Sequence, residues 1–277
     1  MRKNVFKRAT AALLGAAVIA LAAPVGTAAA TPPASESTNL LSGQKLVPGQ
    51  SMISGESELV MQQDGNLVLY LDGDNGHRGP VLWASGTYGN PGAYAYMQPD
   101  GNLVIYRQGG GPDSGGALWS TGTWGHPGSN AALLNGWLGV SGANLYWYSH
   151  TGPGPFAGTL KDTLGPDRTT LASGTWLESN SVWLIMQTDG NLVLYRKRDG
   201  AALWSTGTYG HPETDAFLSD RPSYGAVWLS DIHTGTTWSL PVAGQAGNYA
   251  KLQDDGNFVL YSSDGTARWS TGTWGNW

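Results

Sequence analysis

Met61-Gln-Gln-Asp-Gly-Asn-Leu-Val-Leu-Tyr70 returns three times with small changes: Met97-Gln-Pro-Asp-Gly-Asn-Leu-Val-Ile-Tyr106, Met186-Gln-Thr-Asp-Gly-Asn-Leu-Val-Leu-Tyr195 and Leu252-Gln-Asp-Asp-Gly-Asn-Phe-Val-Leu-Tyr261. A tryptophan segment follows each copy: Trp83-Ala-Ser-Gly-Thr87, Trp119-Ser-Thr-Gly-Thr123, Trp204-Ser-Thr-Gly-Thr208 and Trp269-Ser-Thr-Gly-Thr273. Gln62 and Gln98 lie 36 residues apart, whereas 89 separate Gln98 from Gln187 and 66 separate Gln187 from Gln253, so each long gap holds one further, decayed unit. Ala132-Leu-Leu-Asn-Gly-Trp-Leu-Gly-Val140 with Trp147 fills the first gap; Phe217-Leu-Ser-Asp-Arg-Pro-Ser-Tyr224 with Trp228 and Trp238 fills the second. Six units form two sets of three, opened by the similar stretches Leu40-Leu-Ser-Gly43 and Leu171-Ala-Ser-Gly174, with the Pro/Gly-rich run from Thr151 between them. The expected organisation is a first domain over 39–150, a linker over 151–167 and a second domain over 168–277.

Strand parity follows from the alternation within one unit. Asn66, Val68 and Tyr70 share one face and Leu67 and Leu69 the other, so the leucines belong to the core. A three-residue loop, Gln63-Asp64-Gly65 with glycine left-handed, sets Gln62 opposite Asn66 and Met61 opposite Leu67; a two-residue loop would turn Gln62 into the core. Gln62, Asp64, Asn66 and Tyr70 then converge around Val68 on an exposed patch. Turn chemistry alone accounts for Asp-Gly-Asn, but it does not require Gln two positions before the Asp or Tyr four positions after the Asn, and all four copies keep both. Amide, carboxylate, amide and phenol offer donors and acceptors together over a small apolar floor, which suits a neutral polyhydroxy ligand such as a sugar. The repeated tryptophans read as core, while Trp124, Trp274 and Trp277 are the ones expected to be exposed and able to stack on a sugar ring.

Composition narrows the classes further. The 277 residues are 40% hydrophobic, 13% charged and rich in glycine (41) and tryptophan (13), the mixture of short strands and tight turns. The absence of cysteine excludes disulfide scaffolds, thiolate zinc sites and cysteine nucleophiles. Arg2, Lys3, Lys7 and Arg8, the apolar run Ala11 to Ala23 and the small residues Ala28 to Ala30 read as a secretory signal over 1–30, followed by a Pro/Ser tether over 31–38. Its removal leaves 11 basic against 20 acidic residues, a formal charge of −9 that repels phosphate backbones, so nucleic acid is not an expected partner. No later stretch is long and apolar enough to span a bilayer, so a secreted, extracellular protein without membrane insertion after cleavage is expected.

The pattern Gln-x-Asp-x-Asn-x-Val-x-Tyr, with Trp-(Ala/Ser)-(Ser/Thr)-Gly-Thr after it, resembles the bulb-type (monocot) mannose-binding lectin family over nearly all of residues 39 to 277. The resemblance implies an all-β chain of two tandem β-prism II domains, each with three four-stranded sheets around a pseudo-threefold axis. It implies Asp64 and Asn66 on the axial 2-hydroxyl of α-mannose, Gln62 on the 3-hydroxyl, Tyr70 on the 4-hydroxyl and Val68 against ring carbons. The same roles carry to Gln98, Asp100, Asn102, Val104 and Tyr106; to Gln187, Asp189, Asn191, Val193 and Tyr195; and to Gln253, Asp255, Asn257, Val259 and Tyr261. A gapless alignment sets Gly136, Leu138 and Val140 in the Asp, Asn and Val places of the third unit, and Arg221 and Ser223 in the Asp and Asn places of the fifth, so both are expected to be silent. The family also implies that a terminal strand of each domain completes the other.

The implied partners are mannose-containing glycans or cell-surface polysaccharide, bound at several sites without metal or cofactor, and oligomers are compatible with this. An enzyme is disfavoured: a glycosidase needs two carboxylates about the scissile bond, each patch offers one apart from Asp254 beside Asp255, and the five histidines are scattered in Gly/Pro loops. The alternative within the same fold is a lectin-like bacteriocin that kills related bacteria after binding envelope glycans. Replacing Asn66 or Asn257 by Ala is expected to delete a ligand partner and leave the strand intact.

Overall fold

The computed structural model describes residues 37–72, 77–152, 162–165, 170–219, 226–240, 242 and 248–277; the signal segment, most of the tether, and Arg221 and Ser223 lie outside them. The regular structure among them is all strand. The first half holds β1 (Asn39–Leu40), β2 (Lys45–Leu46), β3 (Ser51–Ser54), β4 (Ser57–Met61), β5 (Leu67–Asp72), β6 (Arg78–Ala84), β7 (Tyr94–Met97), β8 (Leu103–Gly111), β9 (Gly115–Ser120), β10 (Asn130–Leu134), β11 (Trp137–Ser141) and β12 (Leu145–Tyr148). The second holds β13 (Thr163–Leu164), β14 (Thr170–Leu171), β15 (Trp176–Glu178), β16 (Val182–Met186), β17 (Leu192–Arg196), β18 (Ala202–Ser205), β19 (Thr214–Leu218), β20 (Val227–Asp231), β21 (Gly235–Ser239), β22 (Tyr249–Leu252), β23 (Phe258–Tyr261) and β24 (Ala267–Ser270).

Each repeat unit is an antiparallel three-stranded meander, and a short strand from the start of its half adds the fourth. These short strands are dealt out in reverse: the sheets run β3-β4-β5-β6, β2-β7-β8-β9 and β1-β10-β11-β12 in the first half, and β15-β16-β17-β18, β14-β19-β20-β21 and β13-β22-β23-β24 in the second. Each half therefore closes on itself, which corrects the expected exchange of terminal strands. Asn39 pairs with Ala132 and Leu40 with Ala131, while Thr163 pairs with Lys251 and Leu164 with Ala250.

The same pairing corrects the linker. The N–H of Gly49 donates to the Met61 carbonyl and that of Gly174 to the Met186 carbonyl, so Leu171–Gly174 is the counterpart of Leu46–Gly49, not of Leu40–Gly43. The counterpart of β1 is then β13, inside the stretch expected to be linker. Two-residue strands carry no periodicity, and only their pairing reveals them.

The leucine faces meet inside. Leu67, Leu69, Leu103, Ile105, Leu192, Leu194, Phe258 and Leu260 are all at most 1% exposed, while the tryptophan after each motif is partly buried and packed against the core of its half. Trp83, Trp119 and Trp147 make a closed triad, with centroids 5.3, 5.5 and 5.8 Å apart and every pair edge-to-face, the arrangement aromatic quadrupoles favour. Trp204 meets Trp238 at 6.0 Å and Trp269 at 5.8 Å in the same manner. Three four-stranded sheets about a tryptophan centre, repeated twice, are two β-prism II domains. They are packed together: Trp176 and Trp183 of the second half join the first half's hydrophobic cluster.

Because each triad joins three sheets, truncating one member loosens all three. Trp119→Ala is expected to cost about 3 kcal/mol, seen as a lower urea midpoint and loss of the near-ultraviolet circular dichroism of the aromatic cluster.

Candidate functional site

At the tip of each intact unit the backbone follows the three-residue loop. Met61 pairs with Leu67, and the Gln62 N–H donates to the Asn66 carbonyl over 2.9 Å. Gly65, Gly101, Gly190 and Gly256 take φ between +89° and +93°, left-handed as the loop requires. A Cβ at Gly65 would strike the Asn90 carbonyl, so the position is closed to other residues on steric grounds as well.

Within each copy the same bonds recur. The Asp carboxylate Oδ1 accepts the backbone N–H of the Asn two residues on, at 2.9 Å in the first copy and 3.0 Å in the other three. The Gln amide donates to the Tyr hydroxyl at 2.7, 3.0, 3.0 and 2.8 Å in chain order. Burial raises the phenols of Tyr70, Tyr106 and Tyr195, against the opposing effect of the Gln hydrogen bond, so they stay protonated and can donate. Protein packed around Asp189 raises its carboxyl pKa as well, although the side chain still reaches solvent.

The Asn side chain is oriented by the tryptophan segment, a link that sequence reasoning missed. Asn66 Oδ1 accepts from Ser85 Oγ (3.0 Å) and the Thr87 N–H (3.1 Å); Asn102 Oδ1 accepts from Thr121 Oγ1 and the Thr123 N–H, both at 3.1 Å. Thr206 and Thr208 hold Asn191 in the same way, and Thr271 and Thr273 hold Asn257. The second Thr also donates its hydroxyl to the carbonyl of the turn glycine, 2.6 Å to Gly65 and 2.7 Å to Gly101. With Oδ1 held by these bonds the amide cannot flip, and its nitrogen, a donor only, has no hydrogen-bond partner among the described residues. Each site therefore keeps an Asn amide nitrogen without a protein partner next to the Asp of the turn and the Gln–Tyr pair; the patch is less open than expected, since Gln98, Tyr106 and Asn257 are buried. The signal for this support was the Ser/Thr-Gly-Thr that follows every tryptophan of an intact unit.

Three details differ from expectation. Val68, Val104, Val193 and Val259 are only 2 to 4% exposed, so the apolar floor lies under the polar groups. Asp254 accepts from the backbone and side-chain nitrogens of Asn180, both at 2.8 Å, and these bonds lower its pKa; it is part of a turn and not a second free carboxylate. In the third unit Leu134 pairs with Trp137 across a two-residue Asn135-Gly136 turn, so the gapless alignment is one residue out. Trp137, Gly139 and Ser141 occupy the Asn, Val and Tyr places, and Leu138 is core.

The decayed units have filled the patch. Trp137 meets Tyr148 edge-to-face at 6.3 Å, and a Cβ on Gly136 would collide with Trp176, so this tip packs against the other half. In the fifth unit Leu218 pairs with Val227, which puts Trp228 in the Val place, stacked on Phe217 at 4.5 Å.

No protein-family model matches the chain, and no curated protein matches it. Among solved structures it is similar to the mannose-specific agglutinin of snowdrop (Galanthus nivalis) bulbs complexed with methyl-α-D-mannoside, at 30% identity over 40% of this chain and 96% of that one, TM-score 0.33. It is similar to a monomeric monocot mannose-binding lectin of Gastrodia elata, at 26% identity over 41% and 96%, TM-score 0.36. It is also similar to the fetuin-binding two-domain lectin of Scilla campanulata, at 28% identity over 84% and 94%, TM-score 0.33. With scores of this size, the architecture rests on the chain's own sheets and tryptophan centres.

The anchoring of Asn66 changes the outcome expected for its replacement. Asn66→Ala leaves the Thr87 N–H and Ser85 hydroxyl without their acceptor and is expected to cost about 1–3 kcal/mol of stability. Thr121→Val is expected to cost about 1 kcal/mol, and Thr121→Ser almost nothing, because Ser85 fills the same place in the first copy. Urea unfolding of the three variants checks this.

Proposed function

We infer that this chain, a member of the bulb-type (monocot) mannose-binding lectin family by its motifs and its two prisms, is a secreted, multivalent carbohydrate-binding lectin that takes α-mannose residues at four sites. The observation that carries the reading is the fourfold recurrence of one oriented polar set, in which the Asn carbonyl is spent on the protein and its amide donor is left for a ligand. A sugar hydroxyl both donates and accepts, so one hydroxyl donating to the free Asp oxygen while accepting from the Asn amide is held in a single orientation. The adjacent hydroxyls then meet the Gln carbonyl and the Tyr hydroxyl. The choice of α-mannose rests on the match of all five motif positions to the family's pattern.

Binding needs no covalent step and no metal: the groups are preset by the turn, by the Gln–Tyr bond and by the Ser/Thr anchors. A shallow site of this kind gives a Kd on the order of 1 mM. Engagement of two or more sites on one branched glycan or cell surface adds roughly 10²–10⁴ through effective concentration.

Asn66→Asp keeps an acceptor for Ser85 and Thr87 while replacing the outward donor with an oxygen. Calorimetric titration with methyl α-mannoside is expected to give four sites per chain for the wild type and three for Asn66→Asp, with the fold retained. Retention on mannose-agarose should survive EDTA. An unchanged stoichiometry, or retention on galactose in place of mannose, contradicts the reading.

A further inference from the structure

Four large aromatic side chains stand exposed at one repeat position. Tyr88, Trp124, Tyr209 and Trp274 are 66, 70, 68 and 71% exposed, and each directly follows the Thr that anchors the Asn of an intact site. Scattered exposed aromatics need no explanation. Four at the same register position are a pattern.

The position belongs to the sites by its backbone bonds. The preceding Thr donates its N–H to the site Asn in all four units. One or two residues later the chain is tied to the backbone carbonyl of the site Asp: the Asn90 N–H bonds Asp64, those of Gly125 and His126 bond Asp100, those of Gly210 and His211 bond Asp189, and that of Gly275 bonds Asp255. Each aromatic is thus carried on a short loop pinned at one end to the Asn and at the other to the Asp of a single site.

The third unit supplies the control. Thr151 donates its hydroxyl to the Gly136 carbonyl as Thr87 does to Gly65, so Gly152 is the counterpart of Tyr88 in the third unit. The corresponding stretch of the fifth unit lies outside the described residues. The aromatic is present in the four units whose polar set is intact and absent from the third, although Trp147 keeps its place in the triad there. Folding therefore does not account for it.

We propose that Tyr88, Trp124, Tyr209 and Trp274 each form a second subsite beside the Asp–Asn pair, stacking on the apolar C–H face of the neighbouring pyranose of an α-linked oligomannoside. The inference rests on the lectin reading above and extends it from a single sugar ring to two. A pyranose shows an apolar face of C–H groups that suits an aromatic ring, and each aromatic sits on the loop whose backbone is bonded to both the Asn and the Asp of one site. The four sites are then built for chain or branched glycans, not for isolated monosaccharides.

The test compares the mature wild-type chain with a variant carrying Tyr88→Ala, Trp124→Ala, Tyr209→Ala and Trp274→Ala, titrated with methyl α-mannoside and with an α-linked mannotriose. The wild type is expected to bind the trisaccharide about 3- to 10-fold more tightly per site than the monosaccharide. The variant should bind the monosaccharide within about twofold of wild type and lose the trisaccharide advantage. A second variant, with Trp124→Phe and Trp274→Phe alone, keeps four aromatic rings and should keep the advantage. An advantage that survives in the alanine variant, or is absent from a wild type that still binds mannoside, overturns the subsite and leaves the lectin reading standing. A wild type that binds no mannoside overturns both. Loss of binding to phosphatidylcholine–phosphatidylglycerol vesicles, with the trisaccharide advantage unchanged, would assign the aromatics to a lipid surface and likewise overturn the proposal.

Discussion

The hydrogen bonds from the Ser/Thr-Gly-Thr segment to the Asp-Gly-Asn turn join the core of this protein to its surface. The tryptophan that begins the segment is locked into an aromatic triad at the axis of its half, so the hydroxyl and N–H groups a few residues later arrive at fixed places. They occupy the Asn carbonyl and the turn-glycine carbonyl, and thereby decide which edge of the amide is free. Site geometry is in this way a consequence of core packing. A loop unsupported from behind would leave the amide free to flip and present either a donor or an acceptor.

The same dependence accounts for the decayed units, which keep the scaffold without the patch. The third unit retains Trp147 in its triad and the Ser149–Thr151 pair behind its turn, yet its turn is one residue shorter and Trp137 stands where the Asn would be. Its tip is used instead for contact with Trp176 of the second half. The fifth unit covers its face with a stacked Phe217–Trp228 pair. Positions without the polar set are filled by aromatic packing, since an outward strand face of a prism is stabilised as readily by a ring as by polar groups.

The four intact sites share one chemistry in different surroundings. Tyr70 lies across the strands from Glu58, with the Arg78 guanidinium 5.7 Å from its ring. Tyr261 is stacked on Tyr249 at 5.1 Å, Tyr195 is paired with buried Trp183, and Tyr106 is itself only 5% exposed beside Tyr94. A repeated motif thus supplies the same hydrogen-bonding set while its neighbours differ, which gives one chain several versions of a site.

Much of this was legible in the residues alone. The period of the motif marked the units, strand parity separated the leucine face from the Gln, Asp, Asn and Tyr face, and the choice of a three-residue loop followed from keeping Met61 opposite Leu67; these are local regularities of period two and of turn geometry, carried by neighbouring residues. What only the tertiary structure decided is non-local. Strands as short as Asn39–Leu40 and Thr163–Leu164 have no pattern of their own, so their reverse assignment to sheets, and with it the self-closure of each half, depends on partners some 90 residues away. The loss of one residue in the third turn is invisible without pairing, because Asn-Gly serves a two-residue turn as well as Asp-Gly serves a three-residue one. The capture of Asn66 by Ser85 and Thr87 across about 20 positions likewise exists only once the sheet is folded, since it needs the tryptophan at the axis to set where those hydroxyls stand.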